Sequence, residues 1–124
     1  MIEDGRYYMW VISHAFTYAP GLEGPDGLYG WVGPGLRSNY EPLNESGLVL
    51  GNPPEAPLQK YSHYVMPNLL VESFIDTVPT ADGGVRYGGT LAPTLEIELD
   101  GDARTSALVD ELPSGYIPAN RAIP

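Results

Sequence analysis

The sequence contains no cysteine. Disulfides, thiolate metal centres and cysteine nucleophiles are therefore excluded. Lys60 is its single lysine, and six basic residues stand against sixteen acidic ones, giving a formal net charge of −10 at pH 7. Affinity for nucleic acid rests on basic contacts to phosphates, so no nucleic-acid partner is expected. An anionic membrane surface repels such a chain as well, and no apolar run approaches the length of a membrane span. The first ten residues, MIEDGRYYMW, lack a basic region followed by an apolar stretch. No secretory signal is read there, which predicts a cytoplasmic or particle-associated location. Ionic side chains are scarce overall, at 18% of residues, where about 25% is ordinary.

What the chain has instead is glycine, proline and tyrosine: 15 Gly, 13 Pro and 9 Tyr among 124 residues. This length suits one domain, residues 1–124, able to bury a core without metal or disulfide staples. The Gly and Pro content excludes a coiled coil or a helical bundle. Residues 6–19 give the clearest strand signal. Period-two alternation puts Tyr8, Trp10, Ile12, His14, Phe16 and Tyr18 on one face, and aromatic and β-branched residues favour a pleated surface. Residues 20–57 hold 8 Gly and 7 Pro, which predicts a long irregular loop with a short strand at about 47–50. Within it, glycine falls at every third position from Gly21 to Gly33. The run is short and includes Trp31, so consecutive turns explain it better than a collagen-like helix.

Further strands are expected at 58–66, at 69–78 and near 85–88, with Asp82-Gly83-Gly84 turning between the last two. Residues 94–99, TLEIEL, alternate cleanly, with Leu95, Ile97 and Leu99 inward and Glu96 and Glu98 outward. One short helix is expected over Thr105–Leu112, stopped by Pro113, before an extended tail at about 113–124. The predicted class is all-β, a small sandwich or barrel of five to six strands with long Gly/Pro-rich loops and one short helix.

Motifs for chemistry are sparse. The two histidines, His14 and His63, show no metal-ligand spacing, and no metal or other cofactor is expected. Ser13 and Ser62 adjoin them, but neighbouring side chains on a strand point to opposite faces, so neither pair makes a hydrogen bond. Asp100-Gly101-Asp102 opens like a calcium loop and fails at its centre, where Thr105 replaces the turn glycine.

Two functional expectations follow. The first is a non-catalytic structural or interaction protein, more consistent with the composition than an enzyme. It would be an oligomeric subunit of a larger assembly such as a virion or other particle, whose partners are protein subunits, self or other. Tyr and Trp give large contact area at low entropy cost, so Tyr29, Trp31, Val32, Tyr116 and Ile117 are the predicted contact residues. The second is a small-ligand barrel or a cyclase/isomerase-type enzyme, with Trp10, His14 and Tyr18 lining a cavity and supplying acid–base groups.

Overall fold

The computed structural model of the chain describes residues 1–52, 63–100 and 104–116. These form eleven strands in three antiparallel sheets, with one short 3-10 turn at Ala15–Thr17.

The first sheet begins with a two-residue hairpin. Asp4 and Gly5 both take positive φ, 48° and 73°. That is the connection whose twist matches two flanking strands, β1 (Ile2–Glu3) and β2 (Arg6–Ser13). β2 pairs along its whole length with β3 (Gly27–Gly33), from Tyr7 opposite Gly33 to Ser13 opposite Gly27. Two short strands, β4 (Glu41–Pro42) and β5 (Leu48–Gly51), follow one another along the other edge of β3. Asn44 in the turn between them reaches across to the second sheet. Its Oδ1 accepts from the Ser106 N–H at 2.9 Å, and its Nδ2 donates to Ser106 Oγ at 2.9 Å.

The second sheet runs in the order β11 (Ser106–Leu112), β10 (Thr94–Leu99), β7 (Leu70–Glu72), β6 (Tyr64–Val65). β8 (Phe74–Pro79) and β9 (Val85–Leu91) form a separate hairpin. Its turn is closed by Asp82, whose Oδ1 accepts from the Gly84 N–H at 3.1 Å.

The first two sheets pack face to face. Leu28 and Leu50 from one meet Val65, Val71, Leu95 and Ile97 from the other, and Trp10 and Leu69 close the margin. A second cluster joins Tyr8, Val32 and Leu43. Leu28, Leu43 and Val71 are fully buried, and truncating any such leucine costs about 2–5 kcal/mol.

The glycines of 27–33 are strand residues held by close contacts. At Gly30 a Cβ would stand 2.7 Å from the Trp10 ring and 2.8 Å from Leu43 Cδ1. The Trp10 indole lies on bare backbone there, and no side chain fits between them.

Among the described residues one margin of β2 is covered only at its start. Tyr8 exchanges both main-chain hydrogen bonds with Met1, at 2.8 and 3.0 Å. Alternation then aims the N–H and C=O of Trp10 and Ile12 to the same side. Among the described residues no strand pairs with them there.

The all-β class and the turn at 82–84 agree with the sequence reading. Three details are corrected. The expected loop at 20–57 carries β3 and β4 besides β5, which lies at the short strand expected at about 47–50, because Gly30 and its neighbours serve packing instead of turning. The expected helix at Thr105–Leu112 contains β11, which pairs with β10 from Leu99 opposite Ser106 to Thr94 opposite Leu112. Eleven strands replace five or six, because several are only two to four residues long. The expected strand at 58–66 is described from His63 onward and the tail as far as Tyr116, so Ile117 and the rest of the tail lie outside the described residues.

Candidate functional site

β2 ends at Ser13, and His14 opens the 3-10 turn. The turn is stabilised by the His14 carbonyl, which accepts from the Thr17 N–H at 2.9 Å and from Thr17 Oγ1 at 2.7 Å. This reversal brings His14 and Ala15 against Asp26, the residue before β3. His14 Nδ1 lies 2.8 Å from Asp26 Oδ2, and the Ala15 N–H donates to Asp26 Oδ1 at 2.7 Å. Phe16 stacks on the imidazole with ring centroids 5.2 Å apart and is itself 83% exposed.

Asp26 is buried, at 8% exposure. Burial alone raises the pKa of a carboxyl; here the Ala15 N–H and the His14 ring outweigh it and hold Asp26 below its ordinary value. A carboxylate facing Nδ1 fixes the tautomer that carries its proton there, which confines the ring's proton chemistry to Nε2. Each Asp26 oxygen faces one donor, an arrangement that holds the His14 ring in place.

Tyr18 and Tyr29 lie on the far side of the same loop. Their rings meet edge to face at 5.9 Å, their hydroxyls hydrogen-bond to each other, and each hydroxyl also lies 2.8 Å from the Pro25 carbonyl oxygen. Burial and the bond to Tyr18 push the Tyr29 phenol well above its ordinary pKa. Beside them a groove of about 260 Å³ is lined by Val11, Ser13, Tyr18, Glu23, Tyr29 and Trp31, among others.

Of the three residues predicted to share a cavity, only His14 contacts Asp26. Trp10 stacks on Tyr8, at 5.7 Å, and lines a different groove of about 710 Å³ with Ile12 and His63. Tyr18 faces Tyr29 instead. The 3-10 turn breaks the alternation that would have aligned all three. Of the predicted contact residues, Val32 is a core residue, whereas Tyr29 and Trp31 are half-buried and stack at 6.5 Å. Tyr116 is 39% exposed. Sequence reading missed Asp26, one acid among sixteen; its only signal is its place in the turn tripeptide Pro25-Asp26-Gly27. Among the described residues no cluster of three or more His, Asp or Glu side chains is placed to hold a metal ion.

Comparison with known proteins adds what this geometry lacks. Residues 1–118 match glycoside hydrolase family 68, described as levansucrase/invertase. A levansucrase of Pseudomonas syringae pv. actinidiae is 58% identical over 123 residues, covering 99% of this chain and 28% of that protein. The full-length β-fructofuranosidase of Microbacterium saccharophilum K-1 superposes with a TM-score of 0.80 at 46% identity, covering 96% of this chain and 27% of that one. An inulosucrase of Halalkalicoccus jeotgali bound to kestose superposes with a TM-score of 0.77 at 41% identity, covering 99% of this chain and 34% of that one. The chain thus spans about 28% of the length of the curated relatives it matches.

These matches are to enzymes. They overturn the expectation of a non-catalytic structural subunit, and with it that of a virion or particle component. The error has a physical source. Scarce charge and abundant aromatic surface mark any polypeptide whose faces another part of the structure covers. A chain matching about 28% of a larger enzyme and an assembly subunit can share that composition, so the composition does not separate them.

Proposed function

Since the chain belongs to glycoside hydrolase family 68, the levansucrase/invertase family, we propose that it forms part of the sugar-handling site of an enzyme acting on β-fructofuranosides, by hydrolysis or by transfer of a fructosyl group. Within that site His14 is the residue that meets substrate, through Nε2, and Asp26 holds it in place. The observation that carries this reading is the Nδ1–Asp26 contact of 2.8 Å on a buried carboxylate whose second oxygen is also occupied. An imidazole fixed in this way is suited to donate to, or accept from, a sugar hydroxyl in one geometry. Phe16 stacked alongside presents an exposed aromatic face, the kind of surface on which an apolar face of a sugar ring rests.

Cleavage by the usual two-carboxylate route needs one acid to protonate the leaving oxygen and another to attack or to activate water. Asp26 is buried and already paired with His14 and Ala15, so in this reading it takes neither role. In this reading the reacting carboxylates come from the further length that the relatives carry, and the present chain supplies orientation and hydrogen bonding.

A chimera tests this. The 124 residues replace the matching segment of the Pseudomonas syringae pv. actinidiae levansucrase, and sucrose turnover is measured with and without His14→Gln. The expected result is an active chimera that loses about 10- to 1,000-fold in kcat/KM on substitution, in line with the loss of a positioned polar or acid–base group. A chimera equally active with Gln at position 14 overturns the assignment.

A further inference from the structure

We propose that Tyr18 and Tyr29 are positioning residues: their paired hydroxyls clasp the Pro25 carbonyl and so set the backbone from which Asp26 reaches His14. The inference rests on the role given to His14 above.

The argument runs along the main chain. The Pro25 carbonyl belongs to the peptide plane that enters Asp26, and the Asp26 carbonyl belongs to the plane that leaves it. The first is held by Tyr18 Oη and Tyr29 Oη, each 2.8 Å from the Pro25 oxygen. The second accepts from the Asn52 N–H at 2.7 Å. With both flanking planes fixed, only the side-chain torsions of Asp26 remain. The Ala15 N–H and His14 Nδ1 settle those, at 2.7 and 2.8 Å.

Proton accounting shows that the two hydroxyls share the clasp. Two hydroxyls carry two protons and serve three contacts, two to the Pro25 oxygen and one between themselves. If Tyr18 donates to Tyr29, Tyr29 has the proton for the carbonyl; if both donate to the carbonyl, neither answers the other. Either hydroxyl alone keeps one proton for the carbonyl, so the clasp is deleted only when both are removed.

The clasp also spans the two segments that must stay in register. Tyr18 directly follows the 3-10 turn, and its N–H donates to the Ala15 carbonyl at 3.3 Å. Tyr29 lies in β3, three residues beyond Asp26. Space for the pairing comes from Gly24, where a Cβ would stand 2.6 Å from Tyr29 Oη and 3.3 Å from Tyr18 Cε2. Any other residue there collides with the clasp.

The test uses the 124-residue chain and two readouts that need no turnover: hydrogen exchange at the Ala15 amide, and the ¹⁵N shifts that report the His14 tautomer. The variants are Tyr18→Phe/Tyr29→Phe together and Gly24→Ala, which displaces the hydroxyls without deleting them. The Ile97 amide, bonded to the Leu69 carbonyl at 3.0 Å in the distant core, reports global stability. The expected result for both variants is at least tenfold faster exchange at Ala15, a His14 tautomer no longer fixed at Nδ1, and unchanged exchange at Ile97. Overturning results are Ala15 exchange and tautomer within twofold of wild type, or Ala15 and Ile97 accelerating in step. These outcomes are independent of the chimera assay, so an inactive role for His14 and an idle clasp are told apart.

Discussion

Substituting Asp26 by Asn changes one oxygen into an NH₂ group and leaves the shape almost intact. In the wild type the two carboxylate oxygens each face a donor, the Ala15 N–H at 2.7 Å and His14 Nδ1 at 2.8 Å. The amide keeps one acceptor. With its oxygen on the Ala15 N–H, its NH₂ faces His14 Nδ1, which can accept only by giving up the proton that the carboxylate holds there. The charge-assisted bond is gone and the ring is forced into the other tautomer; losing a hydrogen bond to a charged group costs about 2–3 kcal/mol. The pH dependence gives the sharper check. Asp26 has a folded-state pKa below its ordinary value, so its ionised form stabilises the fold at neutral pH. That contribution is complete above the unfolded carboxyl's pKa, near 4, and is lost as pH falls through the lower folded value. Asn has no such limb. Urea unfolding followed by tryptophan fluorescence should therefore show the variant weaker by about 2–3 kcal/mol at pH 7, with the gap shrinking as the pH is taken well below 4. Equal stability at pH 7, or a gap that stays constant into acid, refutes the account of Asp26 as an ionised, doubly bonded anchor.

Two other outcomes are expected. Gly30→Ala drives a methyl group into the Trp10 ring and Leu43, and overpacking of this kind costs about 1–3 kcal/mol; a denaturant midpoint unchanged from wild type contradicts the described packing of Trp10 on bare backbone. At the alkaline end, the raised pKa of Tyr29 keeps the folded phenol neutral while the unfolded one ionises. Stability is thus intact below the unfolded value, about 10, and declines above it. Tyr29→Phe should flatten that decline without abolishing it, because burial raises the pKa of Tyr8 too; identical alkaline slopes in both proteins remove the basis for the shift.

The parts of this fold that were legible in the sequence are those in which one local rule acts alone. Residues 94–99 alternate without interruption, and β10 occupies them. The stretch 27–33 was unreadable for the opposite reason. Its glycines carry a turn signature, yet Gly30 is glycine because Trp10 lies upon it, a contact made across strands and invisible from sequence neighbours. The helix expected over Thr105–Leu112 rests on local signals, a cap at its start and Pro113 at its end, and those signals do not register the pairing with β10 that makes Ser106–Leu112 a strand. The site follows the same division. His14 stood out as one of only two histidines, whereas Asp26 gains its meaning only when the turn at 15–17 swings the two together.

The flank of β2 that no strand covers among the described residues has a practical consequence at the bench. The main-chain groups of Trp10 and Ile12 on that side, with Ile12 41% and Met9 44% exposed close by, form a template onto which any extended polypeptide can zip. A concentrated solution supplies such polypeptides as other copies of the molecule, so crowding it invites sticking together in proportion to dose. A single proline at position 12, unable to donate a main-chain proton, blunts the template while leaving the pairing with β3, which runs through the odd-numbered residues, in place.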